Sequence, residues 1–324
     1  VFFRDGLLYP VLVVLPGNFL FVHRRRVTNI FDLDEVDWLR DGSGARRRFR
    51  TGHDGTRTYP GQGCCVPLTI DGADPDRMFI LAIGGSANLE PTEDSLTTDS
   101  VEVFRFRRDD PASSAWGPLA PLPDRRFMCD GVLLADGTVF VTSGAGKGKA
   151  DKNSGDRLAS YVFEPVNNAW RVMADSLRLR AYHSIALLLP DARVLVAGST
   201  GHDFLEREDE FRLDVFTPPY LTRGARPVVA EAPAEFEPGD ELTIRVGGFS
   251  ASNIVEVALM RPGSTTHSVN MDQRRVLLPI RERSGTTVRV GTPASRAVIP
   301  RGFYMLFVLN LYGVPSEAAW VRAT

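Results

Sequence analysis

Apolar residues fall in short β-branched and aromatic runs, separated by D-G, P-G and G-G turn signals. That alternation predicts strands, and the chain reads as all-β. One unit recurs four times: an aromatic residue, an apolar strand, a turn, a second strand ending near Gly, then a later strand rich in Val and Phe. The first is Y-P-V-L-V-V-L-P-G-N-F-L-F-V from Tyr9 with V-T-N-I-F-D-L at Val27. The second is Y-P-G-Q-G-C-C-V-P-L from Tyr59 with R-M-F-I-L-A-I-G-G and S-V-E-V-F-R-F, ending on Trp116. The third is F-M-C-D-G-V-L-L-A-D-G-T-V-F-V-T-S-G from Phe127 with S-Y-V-F-E-P and Trp170. The fourth is Y-H-S-I-A-L-L-L-P-D-A-R-V-L-V-A-G-S from Tyr182 with R-L-D-V-F-T-P-P-Y-L.

Unit starts lie roughly 50–70 residues apart, near the ~50 of a kelch blade. Such a four-stranded sheet cannot bury both faces alone, so blades pack radially into a β-propeller. Residues 1–221 are therefore expected to be kelch-type propeller blades. They hold about four, the low end of the range of 4–8 for propellers, so further blades of a parent of about seven are expected before Val1. After Pro218-Pro219 the repeat stops. Six or seven short strands, beginning with E-L-T-I-R-V at Glu241 and ending with A-A-W-V at Ala318, predict an immunoglobulin-like β-sandwich over residues 222–324.

Composition narrows the function. With 38 Lys+Arg against 40 Asp+Glu, the net charge of -2 gives no electrostatic footprint for nucleic acid. The runs Arg24–Arg26 and Arg46–Arg48 are candidate anion patches, but in a chain of balanced charge they read first as solvated loops. The longest apolar stretches, Leu7–Leu15 and Ile185–Leu189, fall far short of the ~20 residues of a membrane span. Cys64, Cys65 and Cys129 are odd in number and two are neighbours, so no disulfide framework is implied; they read as small buried residues. The chain opens at Val1 without an initiator Met or a signal-peptide pattern, which places the expected start upstream. G-A-G-K-G-K at Gly144 lacks the spacing and the helix of a phosphate loop.

Of five histidines, His23, His53 and His202 read as loop residues. Tyr182-His183 stands at the start of an inner strand, where a propeller's axis lies, and His267 sits in a segment between two sandwich strands long enough to reach that axis. Adjacent strand residues point to opposite faces, so Tyr182 and His183 reach one ligand only if the chain bends there. Two imidazoles and a phenol make an N/N/O set suited to Cu(II) with open positions. A Tyr-His pair in such a place is more often packed and hydrogen-bonded than metal-binding, and spacing alone does not choose.

R-A-Y-H-S-I-A-L-L-L-P-D-A-R-V-L-V-A-G-S, V-F-T-P-P-Y-L, T-T-H-S-V-N-M-D-Q-R-R and G-F-Y-M-L-F-V-L-N-L-Y-G-V-P-S resemble the C-terminal part of the copper radical oxidases, the galactose oxidase and glyoxal oxidase family. The first two units, with R-T-Y-P-G-Q-G, look more like its glyoxal oxidase branch. The resemblance implies one copper ion held by Tyr182, His183 and His267, with Tyr182 the axial tyrosine and the base toward the substrate. It also implies a second redox centre, a Cys-Tyr thioether radical, on blades preceding Tyr9. That pair is not expected in this chain, nor is the family's tryptophan over the radical; Trp38, Trp116, Trp170 and Trp320 read as packing residues.

The function so implied is oxidation of a small aldehyde, alcohol or carbohydrate by O₂ to give H₂O₂, by a secreted, monomeric protein without membrane or nucleic-acid partners. These 324 residues alone are expected to be inactive. The alternative is a non-catalytic propeller that binds protein or glycan and keeps a remnant metal site.

Overall fold

A computed structural model describes residues 8–200 and 209–324; His202 lies outside them. Four blade-like sheets come first. The first orders β1 (Val11–Leu15), β2 (Phe19–Arg24), β3 (Val27–Asp32) and β4 (Asp37–Trp38), with β5 (Phe49–Arg50) also on β3. In the second, β6 (Cys64–Pro67) is followed by β7 (Ile70–Asp71), which leaves the blade, then by β8 (Arg77–Ile83), β9 (Val101–Arg107) and β10 (Ala115–Pro118). The third pairs β11 (Asp130–Leu133) with β12 (Val139–Thr142), inserts a hairpin of β13 (Ala145–Lys149) and β14 (Lys152–Asp156), and finishes with β15 (Tyr161–Glu164) and β16 (Ala169–Val172). Among the described residues the fourth has three strands, β17 (Ser184–Leu188), β18 (Val194–Gly198) and β19 (Asp214–Phe216). The G-A-G-K-G-K run is the first arm of the β13–β14 hairpin, so its backbone N–H groups serve a ladder rather than a phosphate.

Two sheets form the sandwich. One orders β20 (Val228–Glu231), β22 (Glu241–Gly247), β28 (Thr287–Gly291) and β27 (Ile280–Ser284). The other orders β21 (Glu235–Phe236), β30 (Ala319–Ala323), β29 (Gly302–Asn310), β23 (Ile254–Arg261), β26 (Arg274–Leu277) and, from the second blade, β7. A hairpin of β24 (Ser264–Thr266) and β25 (Val269–Met271) projects from it.

The two halves share two buried cores, each with residues from blades and sandwich. β22 alternates exposed and buried residues, as an outer strand with one wet face must. β29 is buried at every position from Tyr304 to Asn310, because both its faces are covered. Tyr304, Leu306 and Val308 meet Ile244 and Val288 of the opposite sheet, while Met305, Phe307 and Leu309 join a core with Leu81, Val132 and Phe140 of the blades.

Three blades share a device that fixes where each inner strand starts. A fully buried arginine, Arg57, Arg126 or Arg180, precedes the strand. Its guanidinium donates to the carbonyl of Gly84, Ser143 or Gly198, at 2.7, 2.9 and 2.6 Å, and pairs with Glu102, Asp124 or Asp214. Those carbonyls belong to pairs of residues with positive φ, Gly84-Gly85, Ser143-Gly144 and Gly198-Ser199, which turn the chain at the end of the second strand. The Gly85 and Gly144 N–H groups then donate to the Arg126 and Arg180 carbonyls of the next blade, at 2.9 and 2.7 Å. The Gly that ends each second strand thus answers a backbone need.

One histidine is not where the sequence places it. His23 lies on β2, not in a loop, and is fully buried, with Nδ1 2.9 Å from Thr28 Oγ1. Its position opposite Val11 points it into the first blade's interior, where the following Arg24-Arg25-Arg26 turn gives no hint of burial. Among the described residues, no helix is long and apolar enough to cross a membrane.

Candidate metal centre

The β24–β25 hairpin is the element that makes a site. It lies against β1, β6, β11 and β17, the first strands of all four blades. Its two-residue loop is His267-Ser268, with φ of 50° and 60° between the paired Thr266 and Val269. Two left-handed central residues are the I′ geometry that suits a tight hairpin, where Asn-Gly is the usual choice. Holding a histidine there costs backbone energy and sets the imidazole at the extreme tip.

Residues following the hairpin hold it in place. The Gln273 side chain completes a strand-like pair with β11, accepting from Leu133 N at 3.0 Å and donating to Gly131 O at 3.1 Å. Arg274 donates to Val14 O at 2.5 Å, and Arg275 to Ala135 O at 3.0 Å. The quoted Q-R-R is therefore the fastening between sandwich and blades.

The three residues singled out in the sequence come together at that tip. His183 has φ of 62°, so the chain turns before β17 begins, and the Tyr182 and His183 rings stack with centroids 3.8 Å apart instead of pointing apart. His183 Nε2 lies 3.1 Å from His267 Nε2, and Tyr182 Oη lies 3.4 Å from the same nitrogen. The outer nitrogens are held by hydroxyls: His183 Nδ1 is 3.4 Å from Thr200 Oγ1, and His267 Nδ1 is 2.8 Å from Thr266 Oγ1. Such outer-shell contacts orient imidazoles toward a common point.

The donor set fits a copper ion. Burial lowers the pKa of His183, and burial together with the neighbouring His183 lowers that of His267, so both present neutral nitrogen lone pairs at neutral pH. Two nitrogens bound at right angles, about 2.0–2.1 Å from one ion, lie roughly 2.9 Å apart, close to the separation found here. Beside the two imidazoles the Tyr182 phenol, with Oη 3.4 Å from His267 Nε2, offers an oxygen donor. Burial, with Tyr59 beside it, pushes the Tyr182 phenol up to about 12.

Two residues not picked out as site residues complete the wall. The Tyr9 ring stacks on His267, centroids 3.8 Å apart and 12° from parallel. Tyr59 meets Tyr9 edge-on at 5.4 Å and His267 at 6.0 Å. Both occupy the unit-start position that Tyr182 holds in its own blade, which is the signal that would have found them. Phe127 holds that position in the third blade and is fully buried. The cysteines lie apart from the site, buried and unpaired by disulfides, with Cys129 Sγ 3.4 Å from Cys64 Sγ. His53 is half-buried in a loop, with Nε2 2.8 Å from Ser86 O, and is not drawn into the cluster.

Known proteins carry the same organisation. Residues 4–220 match the family described as glyoxal oxidase N-terminus, and residues 226–323 match the galactose oxidase-like early set domain. A putative aldehyde oxidase, Art an 7, of Artemisia annua is 28% identical, covering 97% of this chain and 56% of its own. The aldehyde oxidase GLOX of Vitis pseudoreticulata is 29% identical over 97% of this chain and 62% of its own. A WSC domain-containing protein of Arthroderma benhamiae is 32% identical over 97% of this chain and 33% of its own. The chain thus spans between 33% and 62% of the length of these curated relatives. A fungal alcohol oxidase solved in complex with copper superposes with a TM-score of 0.74 at 21% identity, over 98% of this chain and 75% of that one, and so shares the fold.

Proposed function

From the premise that the chain belongs to the copper radical oxidases, the glyoxal oxidase and galactose oxidase family, we propose that it carries the copper-binding part of an enzyme oxidising an aldehyde or primary alcohol with O₂ to H₂O₂. The observation that carries this reading is the meeting of Tyr182 and His183, at the start of a blade, with His267, on a hairpin of a separate sheet. One copper ion, bound by these three, would supply a one-electron acceptor beside the phenol.

The rest follows from the chain's own groups. With its pKa raised by burial, the Tyr182 phenol holds its proton at Oη in the metal-free chain; with that proton lost, the same oxygen would accept a proton from a substrate hydroxyl. Tyr9 and Tyr59 present an aromatic wall against which a small substrate lies, and they keep water from one side of His267. Thr200 and Thr266 keep both Nε2 atoms turned inward. The reading assigns no Cys-Tyr radical to Cys64, Cys65 or Cys129, so turnover by these residues alone is not expected. Secretion and a monomeric state belong to the same proposal.

The test is copper content and the Cu(II) EPR spectrum of the purified chain beside Tyr182→Phe and His267→Ala. A tetragonal signal with nitrogen hyperfine structure from about one ion per chain, abolished in His267→Ala, is expected. Removing a ligand should cost more than the roughly 10–100-fold of an outer-shell change. Copper at background level in the wild-type chain, or an unchanged spectrum in His267→Ala, would overturn the assignment.

A further inference from the structure

The first blade brings two arginine runs together. From Arg46 to Arg50 the chain is extended: Arg46 bridges Arg40, Arg47 N donates to Leu39 O at 2.8 Å, and Phe49–Arg50 pairs with β3. Alternation puts Arg46, Arg48 and Arg50 on one face, where all three are exposed, while Phe49 is buried on the other. At ~3.3 Å per residue they make a row roughly 13 Å long. The Arg24-Arg25-Arg26 turn faces this row, and the six guanidinium-bearing residues, with Val27, Asn29 and Leu89, line an open cleft of about 470 Å³.

The cleft gathers more guanidinium groups than its carboxylate partners balance. Among the described residues no Asp or Glu lines it. Arg25 pairs with Glu90 and Arg26 with Asp54, each at 2.5 Å, and both carboxylates are largely exposed. Among the described residues no ion pair involves Arg46, Arg48 or Arg50. The Arg46 guanidinium lies 4.2 Å over the Trp38 ring, and its pKa is lowered by burial first and then by the charges of Arg24, Arg48 and Arg40, against the opposing charge of Asp37. Like charges gathered in one cleft focus a positive potential that concentrates anions there.

The form of the cleft narrows the ligand. Two or three arginines enclose one small anion, whereas a row of three facing a turn of three matches charges repeated along a chain. Single-stranded nucleic acid needs free aromatic faces for its bases, and Trp38 is already covered by Arg46 and edged by Phe31. The Arg24–Arg26 turn also adjoins the segments that lead to the metal-binding cluster. Val11 pairs with His23, so the end of β2 lies beside the start of β1, next to Tyr9. Arg25 N donates to Thr58 Oγ1 at 2.9 Å and Arg57 N to Arg25 O at 3.0 Å, joining the turn to the segment that bears Tyr59.

We propose that this cleft binds an anionic polysaccharide chain, one bearing carboxylate or sulfate groups, and holds it beside the segments that lead to the Tyr182–His183–His267 cluster. The binding rests on the cleft and does not depend on the oxidase reading. The test measures binding of the whole chain to polygalacturonate, dextran sulfate and neutral dextran by affinity electrophoresis, as salt rises from about 50 to about 200 mM. Retention by polygalacturonate alone identifies carboxylates as the ligand groups, and by dextran sulfate alone, sulfates; retention by both supports the shared chemistry. Affinity should fall at least about tenfold over that salt range, and Arg48→Gln/Arg50→Gln should weaken binding by about tenfold with an unchanged near-UV circular dichroism and Cu(II) spectrum. The proposal is overturned if neither polyanion is retained, if neutral dextran binds as well, if the double variant binds like wild type, or if a single-stranded oligonucleotide outcompetes both polyanions.

Discussion

His23 shows how a single side chain can carry the pH dependence of a blade. Its burial, with the charge of Arg57 nearby, lowers its pKa to about 3 in the folded chain, against about 6.5 unfolded. Below the unfolded value the unfolded chain takes up a proton that the native one refuses, so stability is lost as pH falls from about 6.5 to about 3. At roughly 1.4 kcal/mol per unit the upper limit is about 4–5 kcal/mol. Urea midpoints taken across that window should fall less steeply in His23→Gln than in wild type; parallel curves would contradict the assignment. Asp130 acts in the opposite sense. Burial raises it to about 6 despite the hydrogen bond from Ser184 Oγ at 2.6 Å, so its contribution is lost as pH rises from about 4 to about 6.

Among elements, the buried arginines and the hairpin turn make the sharpest predictions. Arg57 and Glu102 are both almost wholly buried. Arg57→Met leaves a carboxylate without its partner and should cost about 3–5 kcal/mol, whereas Arg57→Met/Glu102→Leu should recover most of that loss. A double variant no more stable than the single one would show that the pair does not act as a unit. The hairpin loop is sensitive for a different reason. Ser268 has φ of 60°, so Ser268→Gly should raise stability by about 0.5–1 kcal/mol, and a β-branched Ser268→Val should lower it and weaken copper binding. Thermal melts with copper titrations decide this, and equal melting temperatures for the two variants would count against a strained turn.

The whole molecule should unfold as one unit. β29 gives one face to the sandwich and one to the blades, β7 crosses from a blade into a sandwich sheet, and Gln273, Arg274 and Arg275 bind the inner strands. Calorimetry should therefore show a single transition, and Arg274→Met should lower it for blades and sandwich together. Two separate transitions would mean that the shared interior is less binding than its packing suggests. A site made by two halves depends on that cooperativity, because His267 reaches Tyr182 only while the halves remain docked.

Much of this architecture was written in local pattern. Strand alternation, turn signals and the four-fold recurrence determined the blades and six of the sandwich strands, since these features act between neighbours in sequence. The residue types of Tyr182, His183 and His267 were visible too, within motifs that resemble a known family. Their meeting was expected from that resemblance and not from spacing, because 84 residues separate His183 from His267 and the left-handed turns at both positions are what aim the rings at one point. Tyr9 and Tyr59 were seen as repeat markers, and became walls of a site only once the hairpin entered between the inner strands. His23 was misplaced because burial of a polar residue depends on what packs over it, here Phe21, Thr28 and Trp116. The arginine runs read as separate solvated loops for the same reason. Sequence fixes charge and periodicity, whereas long-range packing alone decides which charges share a cleft and which donors share a point.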